Sequence, residues 1–186
     1  MTGKMIVICA PSGTGKSTLI NRLKTDHPEL KWSVSCTTRA MRAGEFNGKD
    51  YHFITTQEFE KQISEDSFIE WAKVHSNYYG TSKVFVDRGL AGGEAMLFDL
   101  DVQGADSMKR IYGDEAKVVF IEPPSIEELE KRLKVRGTDK PEVIAERVEN
   151  ARRELNRKND YDFLIMNDEV ERAYAKLKAV VEGILK

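Results

Sequence analysis

The residues best suited to chemistry lie in one short loop near the N-terminus. Positions 10–17 read APSGTGKS, which fits the pattern G-x-x-x-x-G-K-[ST] except that Ala10 replaces the first glycine. Glycines let a backbone bend closely around an anion, and the N–H groups at a helix start point towards it. Lys16 adds a positive charge and Ser17 a hydroxyl for Mg²⁺. The loop therefore predicts a site for the phosphates of a nucleoside triphosphate. Its predicted contacts are Ala10, Pro11, Ser12, Gly13, Thr14, Gly15, Lys16, Ser17 and Thr18.

A magnesium site needs an acidic partner for Ser17, and Asp99 and Asp101 are the candidates. They are two residues apart near the end of an apolar run, so in a strand their side chains project from one face. Ligands gather at the carboxyl ends of the strands in parallel α/β sheets. The alternative is that both acids only end the strand and cap the next helix. We expect Ser17 and Asp101 to bind Mg²⁺, and which aspartate contacts the metal directly stays open.

These residues need a scaffold, and the pattern along the chain predicts a parallel sheet. The run at 5–9 is short, apolar and rich in β-branched residues, as in a strand buried on both faces. The loop follows it and precedes a helix that ends before Pro28, which disfavours a glycine-rich turn with an incidental lysine. Further strands are predicted at 95–101, 117–121 and 163–166, and helices near 82–92, 102–112, 125–136, 141–158 and 169–185. This alternation is typical of an α/β fold with helices on both faces of the sheet.

The middle of the chain has a different pattern. Residues 32–80 are richer in aromatic residues and short extended segments, which predicts a small mixed sheet with one helix inserted into the α/β core. Asn47 and Gly48 lie between two extended segments, at 45–46 and 51–53, which predicts a hairpin with a primed turn. A second short insertion is predicted around 137–140, between two helices.

Composition excludes several classes of function. The chain has 186 residues, 40% of them hydrophobic, and a formal net charge of −2, so nucleic acid and membranes are not predicted partners. Cys9 and Cys36 form no C-x-x-C pair, and the three histidines are scattered, which argues against zinc binding and a disulfide framework. No signal peptide or membrane span is predicted, so a cytoplasmic location is expected.

Motifs along nearly the whole chain resemble guanylate kinase, in the same order. They lie at 33–39 (SVSCTTR), 42–45 (RAGE), 48–53 (GKDYHF), 68–71 (FIEW), 77–81 (NYYGT), 99–104 (DLDVQG), 123–125 (PPS), 136–138 (RGT) and 167–168 (ND). The resemblance implies a P-loop NTPase parallel sheet flanked by helices, with an inserted mixed α/β subdomain that binds a nucleoside monophosphate. It implies a core domain at 1–31 and 82–186, a short lid around 132–147 and a GMP-binding subdomain at 32–81.

The same resemblance implies a role for each matching residue. The implied reaction transfers the γ-phosphoryl group of ATP to GMP, with Mg²⁺ as cofactor. The residues implied to bind GMP are Arg39, Arg42, Tyr51 and Tyr79 at the phosphate, Ser35, Glu70 and Thr81 at the guanine, and Asp99 and Asp101 near the acceptor and the metal. Lid arginines matching Arg136 and Arg147 are implied to be catalytic, with Arg132 and Arg152 as helpers, and the residue matching Asn167 lies near the adenine. Arg132 and Arg136 are four apart, so a structural salt bridge for one of them is an alternative.

Guanine offers two donors on its Watson–Crick edge, and a carboxylate such as Glu70 can accept both. Adenine would leave that carboxylate unpaired, at a cost of several kcal/mol, roughly a thousandfold in discrimination. A non-catalytic guanylate-kinase-like binding module and a P-loop kinase with another acceptor are the alternatives. The intact loop disfavours the first, and Glu70 with Ser35 disfavours the second. The sequence does not predict an oligomeric state.

Three positions depart from the resemblance. Cys36 stands where serine or alanine is usual, and we interpret it as a small side chain in a tight space rather than a nucleophile. Met41 and Ala43 stand where prolines are usual, beside Arg42 and Gly44. Both changes are expected to loosen this loop.

Overall fold

The computed structural model describes residues 3–74, 76–136 and 140–186. These residues form nine β-strands: β1 (Lys4–Cys9), β2 (Lys31–Trp32), β3 (Cys36–Thr37), β4 (His52–Phe53), β5 (Phe68–Val74), β6 (Asn77–Ser82), β7 (Ala95–Asp99), β8 (Ala116–Glu122) and β9 (Phe163–Met166). They also form seven α-helices: α1 (Lys16–Asp26), α2 (Thr56–Ser64), α3 (Lys83–Ala91), α4 (Val102–Tyr112), α5 (Ile126–Arg136), α6 (Pro141–Leu155) and α7 (Val170–Leu185).

Five strands form a parallel sheet in the order β2-β7-β1-β8-β9. Strand β1 is central, and residues 5–9 of it are buried because helices cover both faces of the sheet. Met5, Val7 and Cys9 pack on one face against residues of α4, whereas Ile6 and Ile8 pack on the other against α1 and α7. The α/β fold predicted from the sequence is confirmed.

The second sheet has the order β4-β3-β6-β5 and is mixed, since β3 pairs parallel with β4 and antiparallel with β6. Helix α2 packs on it through Phe59, whose ring stacks on Phe68 at 4.3 Å and on Tyr78 at 5.1 Å between centroids. Thr55 and Glu58 start α2 with a capping box. A small mixed sheet with one helix was predicted for this region, and both are present.

The predicted hairpin is wrong. Strand β4 pairs with β3, and residues 45–46 form no strand with it. A primed turn of this type needs positive φ at both central residues, and only Gly48 of the pair has it, at 78°. Side chains hold the loop instead, because Asn47 Oδ1 accepts the Phe53 N–H at 2.9 Å and Asp50 Oδ2 accepts the Phe46 N–H at 2.8 Å.

Two predicted element ends also differ from the structure. The strand predicted at 95–101 ends at Asp99, because Asp101 instead begins α4 as its N-cap and accepts the Gly104 N–H at 2.8 Å. The helix predicted at 141–158 ends at Leu155. Trp32, placed in the insertion from the sequence, pairs with Leu97 in the first sheet.

Helices α5 and α6 pack against each other through a separate apolar cluster, formed by Leu129, Leu133, Ile144, Val148 and Ala151. Of the insertion predicted around 137–140, residues 137–139 lie outside the described residues. The domain boundaries and the lid stay predictions. No helix in the described part of the chain is long and apolar enough to cross a membrane.

Candidate active site

The glycine-rich loop joins β1 to α1 at the centre of the parallel sheet. Gly13 and Gly15 have φ values of 92° and 88°, in the left-handed region that favours glycine. A Cβ atom on Gly15 would lie 2.7 Å from Asn167 Nδ2, and one on Gly13 would lie 2.8 Å from Leu133 Cδ2. Ala10 has no positive φ and is buried, so a methyl group fits at this position. The loop therefore needs glycine at 13 and 15 but not at 10.

Two side chains hold the loop from outside. Asn167 is buried, and its Nδ2 donates to the Thr14 carbonyl at 2.7 Å. Arg132 Nη1 donates to the same carbonyl at 3.2 Å and to the Asn167 carbonyl at 3.1 Å, while its Nε donates to Glu128 at 3.1 Å. The structural salt bridge considered for Arg132 or Arg136 is thus present at Arg132. Direct contacts of Arg132 and Asn167 with ATP stay predictions.

The loop borders a cleft that α5 and α6 close on the other side. All the predicted loop residues from Ala10 to Thr18 line this donor cleft, together with Asp101, Arg132, Leu133, Val135, Asn150 and Glu154. Arg147 reaches it from α6, with its Nη1 3.5 Å from Ser12 Oγ. The side chain of Arg136 lies outside the described part of the chain, and Arg152 is exposed and does not line the cleft.

Lys16 connects the donor loop to the carboxyl end of β7. Its Nζ lies 2.5 Å from Asp99 Oδ1 and donates to the Leu100 carbonyl at 2.5 Å. Asp99 lines a second cleft, and Asp101 lines both the donor cleft and this second one. The two clefts therefore meet at Lys16 and the two acids, at the carboxyl end of the sheet.

We call the second cleft the acceptor cleft, and Glu70 lies at one end of it. The cleft has a volume of about 350 Å³ and is lined by Ser35, Tyr51, Glu70, Ala72, Tyr79, Gly80, Asp99, Leu100 and Asp101. Thr81 is fully buried, and its hydroxyl donates to Glu70 Oε1 at 2.6 Å, which orients the carboxylate. Burial raises the pKa of Glu70 above its ordinary value, although the Thr81 hydrogen bond acts against this. Thr81 therefore acts on the cleft through Glu70.

At the other end of the acceptor cleft, two tyrosines line the cleft, and an arginine that does not itself line it lies against them. The Tyr51 and Tyr79 rings meet edge to face at 5.9 Å, and the Arg39 guanidinium lies 5.5 Å from the Tyr51 ring centroid. Burial raises the pKa of Tyr51, so its hydroxyl stays protonated and can donate. The structure brings Arg39, Tyr51 and Tyr79 together. Arg42 is exposed and lines neither cleft, so its phosphate contact stays a prediction.

Sequence reasoning missed two acidic residues here. Glu45 forms a bidentate ion pair with Arg39. Glu154 lines the donor cleft from α6, and burial, with the nearby Asp101 charge, raises its pKa to about 7. The spacing of Arg147, Asn150 and Glu154 places them on one helix face, and this pattern could have indicated Glu154 from the sequence. Glu45 lies in the motif at 42–45, of which only Arg42 was given a role.

The residues present fit a magnesium ion that is bound mainly through phosphates and water. Among the described residues, no group of three or more His, Cys, Asp and Glu side chains could hold a metal alone. Mg²⁺ in kinase sites takes one or two protein oxygens and completes its shell with phosphate and water. Ser17 and Asp101 line the same cleft, and Asp101 is exposed. The predicted pair of ligands therefore suits this ion.

A triphosphate loop beside a smaller cleft, with a half-buried carboxylate at one end and an arginine–tyrosine cluster at the other, defines a nucleoside monophosphate kinase of the P-loop class. Comparison with known proteins gives the family. The family model described as guanylate kinase matches residues 2–184. The chain is 45% identical to the guanylate kinase of Sulfurimonas denitrificans over 182 residues, which cover 98% of this chain and 88% of that protein.

Two further comparisons agree. The guanylate kinase of Nitratidesulfovibrio vulgaris is 49% identical over 179 residues, which cover 96% of this chain and 86% of that protein. The crystal structure of guanylate kinase from Anaplasma phagocytophilum superposes with a TM-score of 0.75 at 30% identity, covering 98% of this chain and 86% of that one. The chain belongs to the guanylate kinase family. It is an ATP:GMP phosphotransferase, and the non-catalytic alternative is not favoured.

Proposed function

We propose that the donor cleft binds ATP and that the acceptor cleft binds GMP, so that the γ-phosphoryl group crosses where the clefts meet. One observation carries this proposal. Lys16 belongs to the donor loop, and its Nζ lies 2.5 Å from a carboxylate of the acceptor cleft, that of Asp99. Phosphoryl transfer requires alignment of two nucleotides and neutralisation of the charge between them. A cation at this junction supplies that charge.

In the donor cleft, the backbone N–H groups of the loop would bind the phosphates, and Lys16 would turn from Asp99 towards the terminal oxygens. Ser17 and Asp101 would hold the Mg²⁺ ion. When bound, this ion would neutralise negative charge on the phosphate oxygens. Arg147, whose Nη1 lies 3.5 Å from Ser12 Oγ, is close enough to the loop to add its charge there. Arg136 is proposed for the same role from the resemblance alone.

In the acceptor cleft, Glu70 would accept hydrogen bonds from the two guanine donors, with Ser35 beside it. The Thr81 hydroxyl fixes one Glu70 oxygen, which favours a single orientation of the carboxylate. Arg39, Tyr51 and Tyr79 would bind the GMP phosphate, since guanidinium and hydroxyl donors match its oxygens. A carboxylate that faces adenine instead would stay unpaired in a buried position, so AMP should be rejected.

The test is a coupled assay of ADP formation with ATP and Mg²⁺ and, in turn, GMP, AMP, CMP and UMP. The proposal predicts a kcat/KM for GMP at least about a hundredfold above that for the others. Equal rates with AMP would contradict the guanine assignment. Omission of Mg²⁺ with a chelator should abolish turnover, and full activity without it would contradict the metal site. The cytoplasmic location stays a prediction.

A further inference from the structure

The acceptor side contains a carboxylate for which the proposed reaction provides no role. Glu45 Oε1 accepts from Arg39 Nη2 at 2.7 Å, and Glu45 Oε2 accepts from Arg39 Nη1 at 3.0 Å. The pair is well shielded, with 13% of the Arg39 side chain and 20% of the Glu45 side chain exposed. Bidentate pairs of this kind fix the plane of a guanidinium as well as its position.

The same carboxylate also holds the backbone that carries the next arginine. Glu45 Oε2 accepts the Arg42 N–H at 2.8 Å, and the Glu45 N–H donates to the Arg42 carbonyl at 3.1 Å. Gly44 has a φ of 88° inside this short turn. One side chain therefore links the Arg39 guanidinium to the turn at 42–45.

Glu45 lies next to the phosphate end of the acceptor cleft. It lines a small side cleft that shares Ser35, Tyr51 and Asp99 with the acceptor cleft. Arg39 also donates to the Ala40 carbonyl at 2.8 Å and lies over the Tyr51 and Phe53 rings. With these contacts the guanidinium has few alternative orientations, and Glu45 accepts two hydrogen bonds from it.

We infer that Glu45 is a positioning residue for GMP, acting through Arg39 and the turn that carries Arg42. This inference rests on the proposed function, since it concerns the phosphate end of the same acceptor cleft. Glu45 lowers the entropy that Arg39 would lose when it binds a phosphate. Glu45 also neutralises part of the Arg39 charge. The opposite result, in which Glu45 competes with the phosphate for Arg39 and weakens GMP binding, is therefore the alternative that the experiment must exclude.

The experiment measures kcat and both KM values in Glu45→Gln, which keeps the size but removes the charge and one acceptor. Positioning predicts a rise in KM for GMP of about tenfold, because a hydrogen bond to a charged group is lost. The kcat and the KM for ATP should stay within about twofold. An unchanged KM for GMP would overturn the inference, and a lower one would overturn it by showing that Glu45 competes with the phosphate.

Two controls separate positioning from a general loss of structure. Glu171→Gln is the matched control, because Glu171 forms a bidentate pair with Arg22 on an exposed surface, in which its two oxygens accept from the guanidinium at 2.5 and 3.0 Å. This variant should leave kcat and both KM values unchanged. In an Arg39→Ala background, Glu45→Gln should raise the KM for GMP far less than in the wild type. Equal increases in both backgrounds would overturn the inference.

Outcomes that concern the proposed function are distinguishable. A wild-type enzyme without GMP-dependent turnover would refute the function itself, whereas a normal wild type with an unaffected variant refutes only the role of Glu45. Thermal unfolding of each variant checks that it is folded. If Glu45→Gln does not fold, Glu45→Asp gives the same test, because it keeps the charge but shortens the reach. An unchanged KM for GMP in that variant would overturn the inference.

Discussion

The donor and acceptor clefts are built in opposite ways. The donor loop is a backbone structure, set between a buried strand and the helix α1, with two glycines at positive φ. The acceptor cleft is a side-chain structure, in which Ser35, Tyr51, Glu70 and Tyr79 come from separate short strands and loops. A backbone structure tolerates few residue types, while a side-chain structure depends on particular partners such as Thr81 and Glu45. Changes in the two regions should therefore have different consequences.

The largest effect is expected from Lys16→Ala on the donor side. Removing a cation that neutralises charge on the transferred group should lower kcat by about 10²–10³-fold. The fold should persist, because the Lys16 side chain is not part of an apolar cluster in the described part of the chain. Initial rates at saturating ATP and GMP measure the effect, with thermal unfolding as the check on structure. A kcat within about threefold of wild type would remove Lys16 from the mechanism.

A pair of glycine substitutions compares the two backbones directly. Gly15 and Gly44 have the same φ of 88°. A Cβ atom on Gly15 would meet Asn167, whereas one on Gly44 would have no neighbour within 4 Å in the described part of the chain. Gly44→Ala should cost about 1–2 kcal/mol of unfolding free energy from the left-handed backbone alone. Gly15→Ala should cost about 1–3 kcal/mol more, since Asn167 must move away from Thr14.

Denaturant unfolding of both variants measures these costs. Gly15→Ala should also weaken binding of ATP, whereas Gly44→Ala should affect GMP only. Equal losses of stability would mean that Asn167 does not restrain the donor loop.

The smallest effect is a pH dependence of GMP binding. Burial raises the pKa of Glu70, so on acidification it takes up a proton before an exposed glutamate would. The protonated group presents an O–H to the guanine donors, and the KM for GMP should rise severalfold as pH falls from about 8 to about 5. Glu70→Gln controls for titration of the GMP phosphate, and an equally steep rise in that variant would contradict the assignment.

The same contrast explains how much could be predicted from sequence. The parallel sheet and the loop at 10–17 were predicted from local pattern, because a buried strand, two glycines and a following helix are consecutive in the chain. Glycine is needed at 13 and 15 because φ is positive there, and alanine is tolerated at 10 because φ is not. Asp101 was predicted in the last position of the strand, with a cap of the next helix as the alternative, and in the structure it is the N-cap of α4. Its side chain still lines both clefts.

The acceptor cleft could not be derived from spacing, because its residues meet only through the tertiary structure. Glu70 and Thr81 are eleven positions apart and pair across two neighbouring antiparallel strands. Glu70 and Thr81 were identified by the resemblance to a known family. The structure then added contacts that the resemblance did not imply. The Arg39–Glu45 pair and the absence of the predicted hairpin both depend on side-chain hydrogen bonds within residues 39–53. A turn pattern alone does not encode such bonds.

The central claim is that two independent sites, one for each nucleotide, meet at Lys16. Calorimetric titration tests it most directly, with GMP and a non-hydrolysable ATP analogue bound separately to the wild type, Lys16→Ala and Glu70→Gln. We expect Lys16→Ala to lose affinity for the ATP analogue by about tenfold or more and to keep its affinity for GMP, and Glu70→Gln to do the reverse. A variant that weakens both nucleotides equally would contradict the separation of the two sites.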